Sequence, residues 1–93
     1  MKIEFAKIYR LSLLEQVLYI AKDKPFAARK FKKHIINNIK KDLIYPFNFK
    51  KSIYYDDENI RHYVFKGYTS VYKIDLENKT ITVFGFIKFK QYL

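Results

Sequence analysis

The chain has 93 residues, 49% of them hydrophobic, and 19 Lys and Arg against 9 Asp and Glu give it a net charge of +10. That length suits one folded domain, 1–93. The lack of cysteine excludes disulfides and Cys-ligated zinc, and with only His34 and His62, far apart in sequence, neither metal nor cofactor is expected. No run approaches the ~18 apolar residues of a membrane span, and charges fall where a secretory signal needs its apolar stretch, so a soluble, cytoplasmic protein that does not contact membrane is expected.

Residues 2–6 alternate with period two, Ile3 and Phe5 on one face, which predicts a first strand. From Ile8 the period lengthens. Ile8, Leu11, Leu14, Leu18 and Ala21 recur every three or four residues and predict a helix over 8–22 with these as its apolar stripe. Ser12 and Glu15 also have capping-box spacing, which offers Ser12 as another start. Pro25 suits the first turn of a second helix, where its missing N–H would be unpaired in any case. Ala28, Phe31, Ile35, Ile39 and Leu43 line one side of that helix, and Arg29, Lys30, Lys33, Lys40 and Lys41 cover the other. Its end falls near Leu43 to Tyr45, and Pro46 closes it.

Past Pro46 the signals are those of strands: 49–55, a turn over 56–59, then 60–66, 68–76 and 80–89 joined by turns at Lys66-Gly67 and 77–79. Gly85 inside the last strand predicts a bulge or a close backbone approach. The order β-α-α-β-β-β(-β) implies an α+β fold of an N-terminal strand, a helical hairpin and an antiparallel β-meander, with the two helices packed on one antiparallel sheet.

The order of elements and several local strings resemble the RelE/ParE family of toxins from type II toxin-antitoxin modules over nearly the whole chain. Residues 19–31 are similar to the family's hairpin turn. Pro46 followed by Lys50-Lys51 is similar to its proline and basic second strand. Residues 59–75, where Arg61 precedes Tyr68 and Tyr72, resemble its central hairpin. Near the C-terminus Lys88 and Lys90 stand where many members carry His-x-Arg, and the histidine is missing. The resemblance implies a toxin that arrests growth and is neutralised by a cognate antitoxin. One branch of the family enters the ribosome and cuts mRNA, whereas another binds DNA gyrase and poisons it without hydrolysis.

Metal-independent RNA cleavage by the neighbouring 2′-hydroxyl needs a base, an acid and cations on the phosphate. The candidates are Arg61 for charge on the phosphate, Lys88, Lys90 and Tyr92 for catalysis, and Lys50, Lys51 and Tyr68 as further nucleic-acid contacts, provided a meander gathers them on one face. Set against this, Arg61 is equally suited to pairing with Asp56, Asp57 or Glu58, Tyr72 suits the core, and His62 falls on the opposite face from Arg61. The leading expectation is a ribosome-dependent mRNA endoribonuclease, with a gyrase inhibitor and a non-toxic basic nucleic-acid-binding protein as alternatives. Arg29, Lys30, Lys33, Lys40 and Lys41 are the expected contacts for an acidic antitoxin segment.

Overall fold

The computed structural model describes residues 1–88, so Lys90 and Tyr92 lie outside the described residues. The elements are β1 (Lys2–Phe5), α1 (Lys7–Ala21), α2 (Pro25–Asp42), a 3₁₀ turn (Pro46–Asn48), β2 (Ile60–Phe65), β3 (Tyr68–Asp75) and β4 (Thr80–Lys88). This is the α+β architecture that the order of signals implies, with one change in the sheet. Its strand order is β1-β4-β3-β2, and β1 runs parallel to β4, Ile3 opposite Ile81, so the sheet is mixed. A parallel partner needs a long crossover, and the helical hairpin with β2 and β3 supplies it.

One sheet face carries the helices. The core joins Tyr9 and Leu13 of α1, Phe31, Ile35 and Ile39 of α2, and Leu43 to Tyr63, Tyr72, Ile74, Ile81 and Val83 of the strands. In α2 the buried residues are those of the expected stripe. In α1 they are not: Ile8, Leu11, Leu14 and Leu18 are exposed, and Tyr9, Leu13, Val17 and Ile20 turn inward instead. Apolar residues surround α1, so periodicity alone does not say which set meets the sheet. Tyr9 does, because its hydroxyl reaches the buried Ser70 at 2.8 Å. Ser12 is no cap, since the helix already runs from Lys7.

The expected strand over 49–55 is replaced by a short lacing onto β2. Lys51 pairs with Arg61 in one isolated bridge, flanked by His62 N–H donating to Lys50 O (2.9 Å) and Ser52 N–H to Ile60 O (2.8 Å). Beyond that point Ser52 Oγ accepts the Tyr54 N–H and bends the chain away from the sheet. The last strands therefore form a three-stranded meander.

Lys66 and Gly67 both take positive φ, 49° and 82°, as a two-residue hairpin turn demands. Gly85 meets both parts of its expectation. The β3–β4 register steps from Val71↔Gly85 to Tyr72↔Val83, leaving Phe84 as a bulged residue, and a Cβ at Gly85 would come within 3.0 Å of Val71 Cβ. The bulge shifts the alternation. After it Phe86, rather than Ile87, faces the helices, and its ring lies 5.8 Å from Tyr9 and 5.4 Å from Tyr68.

Candidate functional site

Of the basic residues expected to converge, the described ones, Lys50, Lys51, Arg61 and Lys88, are divided between two ends of the sheet. At the first end, Lys50 and Lys51 lie beside β2 and next to Arg61. Arg61 is engaged by the backbone: its Nε donates to Glu58 O (2.8 Å), and its Nη1 to Phe47 O (3.2 Å) and Phe49 O (2.9 Å). Its guanidinium also lies 5.2 Å from the Phe47 ring centre. The arginine thus ties the connection between α2 and β2 to the sheet, using the backbone carbonyl of Glu58 rather than a carboxylate. Lys51 pairs instead with the Glu58 carboxylate at 3.0 Å.

Lys88 stands at the second end. Arg61 pairs with Tyr72 and Lys88 with Tyr68, so four residues along β3 and two strand spacings separate them, roughly 16 Å. The Lys88 ammonium sits 5.2 Å from the Tyr19 ring of α1, beside Glu15 and Gln16. Tyr68, the other expected contact here, has its ring stacked on Phe86 and set 4.8 Å from Phe31, with its hydroxyl accepting from Gln16 Nε2 (2.9 Å). Its faces are used for packing.

Tyr72 is fully buried and donates to Pro46 O (2.6 Å), and burial pushes its phenol up despite the nearby Arg61. Tyr63 donates to the Asp42 carboxylate, with burial first and that carboxylate second in pushing its phenol up. His62 lies across the strand from Arg61 and binds Ser52 Oγ at 2.7 Å under the Tyr54 ring. Burial and the Lys50 ammonium hold its imidazole below the usual range. Among the described residues no three His, Asp or Glu side chains gather to hold a metal.

The feature that periodicity misread is the outer side of the helical hairpin. Phe5 of β1, Leu11 and Leu14 of α1 and Ile36 of α2 line an apolar trough rimmed by Lys7, Arg10 and Lys32, and Arg29 continues its α2 side. The unusually apolar outer face of α1 was its sequence signal. Arg29, Lys30, Lys33, Lys40 and Lys41 are all exposed.

A helical hairpin on a mixed four-stranded sheet, with cations gathered on the hairpin, makes this a small basic α+β domain. The family model described as the ParE toxin of the type II toxin-antitoxin system, parDE, matches residues 3–91. The chain belongs to that family, within the RelE/ParE toxins, and its partner is a cognate antitoxin. No curated protein matches the chain. Among the described residues no helix is long and apolar enough to cross a membrane.

Proposed function

We propose that this toxin arrests growth by binding and holding its target, as the gyrase-binding branch of the family does, rather than by cutting mRNA. The observation supporting this reading is the employment of Arg61. Its Nε and Nη1 are turned onto three backbone carbonyls, and Lys88 stands at the far end of the sheet. Cleavage by the 2′-hydroxyl route asks for an acid, a base and cations converging on one phosphate.

The test adds purified protein to DNA gyrase with relaxed plasmid and, separately, to an in vitro translation reaction whose mRNAs are mapped by primer extension. Expected are lost supercoiling, gyrase-linked DNA breaks and intact transcripts. New 5′ ends inside translated codons, absent without ribosomes, together with unaffected supercoiling at saturating protein, would return Lys50, Lys51, Arg61, Lys88, Lys90 and Tyr92 to an endoribonuclease site. A host indifferent to soluble, induced protein would favour the non-toxic nucleic-acid-binding reading.

The antitoxin is assigned on the same footing to the trough between α1 and α2. An apolar floor of Leu11, Leu14 and Ile36 under a basic rim suits an amphipathic acidic segment. Arg29 and Lys32, on the α2 side, belong to this assignment.

A further inference from the structure

We infer that the outward face of α2 docks the backbone of a nucleic-acid duplex, and that it does so apart from the trough on the flank of the same helix. The inference goes beyond the target assigned above and stands whichever target the toxin arrests. Ala28, Phe31, Ile35 and Ile39 fix the inward direction of α2. At 100° per residue, Lys30, Lys33, Lys40 and Lys41 all fall within about 60° of the opposite direction. They are exposed, and no Asp or Glu occurs from Lys24 to Lys41. The ion pairs among the described residues are Lys2–Glu4, Lys51–Glu58 and Lys73–Asp57, all on strands or loops. The charge on α2 is therefore left to an outside anion, held along about 16 Å of rigid helix.

What surrounds these ammonium groups selects the polyanion. A duplex presents a charge every ~1.7 Å of its axis, and lysines meet phosphates as point charges without reading sequence. Single strands call for free aromatic platforms, and between Lys30 and Lys41 the outward side of α2 carries no Phe, Tyr or Trp, the one such ring of that stretch, Phe31, being in the core. Binding in a membrane interface needs an apolar helix face, and that of α2 is in the core. An acidic protein would find His34 and Asn37 between the lysines, where interface anchors are usually apolar or aromatic.

The experiment is fluorescence anisotropy of the full chain on labelled 24-bp DNA and RNA duplexes across a salt series. The quadruple variant Lys30→Gln, Lys33→Gln, Lys40→Gln, Lys41→Gln is compared with a charge-matched control, Lys2→Gln, Lys66→Gln, Lys73→Gln, Lys79→Gln. Each phosphate contact contributes about 0.9 to the salt slope, so the α2 variant should lose a slope of about 3 to 4 and at least ~10-fold in affinity at low salt. The control should keep most of both. Similar binding of DNA and RNA supports a backbone reading, as does full binding by Leu14→Asp, whose defect belongs to the trough. Equal losses in the two quadruple variants overturn the inference, and so does binding to anionic phosphatidylglycerol vesicles without binding to either duplex.

Discussion

At Arg61 one side chain carries three hydrogen bonds to the connection between α2 and β2, and its loss leaves three carbonyls to be satisfied elsewhere. Arg61→Ala is expected to lower unfolding free energy by about 2 kcal/mol in urea titration. Arg61→Lys should recover only a fraction, because a single ammonium cannot reproduce the planar fork. A variant of unchanged stability with abolished toxicity would instead mark a residue kept for an external phosphate. His62 on the opposite face makes a pH-dependent contribution. Its folded pKa is depressed by burial and by Lys50 below the unfolded value of about 6.5. Within that window the unfolded chain binds more protons, so stability rises with pH and is lost as pH falls below about 6.5. Urea midpoints from pH 7.5 to 5.5 should fall for the wild type and flatten in His62→Gln, which retains a polar partner for Ser52.

The two helices show how far a periodic pattern can be trusted at the scale of an element. α2 was legible because its apolar set has one orientation and a charged back, so only one face can be buried. α1 was not, because Leu11 and Leu13 are equally apolar and the choice between them is made by sheet contacts distant in sequence. The consequence is measurable. Leu13, 3% exposed, should cost about 2 to 4 kcal/mol on replacement by Ala, whereas Leu11, 54% exposed, should change stability by less than about 0.5 kcal/mol on replacement by Ser. Similar costs at both positions would mean that the trough is closed in solution. Among the strands, Gly85 announced its bulge because a missing side chain inside a strand needs a reason. The parallel placement of β1 left no comparable mark, since four residues pair equally well with either edge. The segment 49–55 read as a strand from its aromatic and β-branched residues, but Ser52 captures the backbone locally and ends the pairing. The candidate site suffered from the same limit: the types of Arg61 and Lys88 were readable, whereas their separation is a matter of register.

On the scale of the whole molecule, the proposed seat of the antitoxin in the apolar trough would let that trough and the charge of +10 act on different steps of its capture. Long-range attraction between a cationic hairpin and an acidic segment raises the rate of encounter and is screened within about 10 Å at 0.1 M salt. Apolar contacts are formed after encounter and are not screened, so they govern how long the complex lasts. Raising salt from 50 to 500 mM should therefore slow association with the cognate antitoxin about tenfold or more and leave dissociation within about threefold. Leu14→Asp should do the reverse, speeding dissociation about tenfold with a smaller change in association, since it removes one floor residue and only one net charge in ten. Surface plasmon resonance of the two proteins at several salt concentrations separates the two rates. If salt moved dissociation as strongly as association, the grip would be electrostatic throughout, and the exposed leucines of α1 would lose their assignment as the floor on which the antitoxin rests.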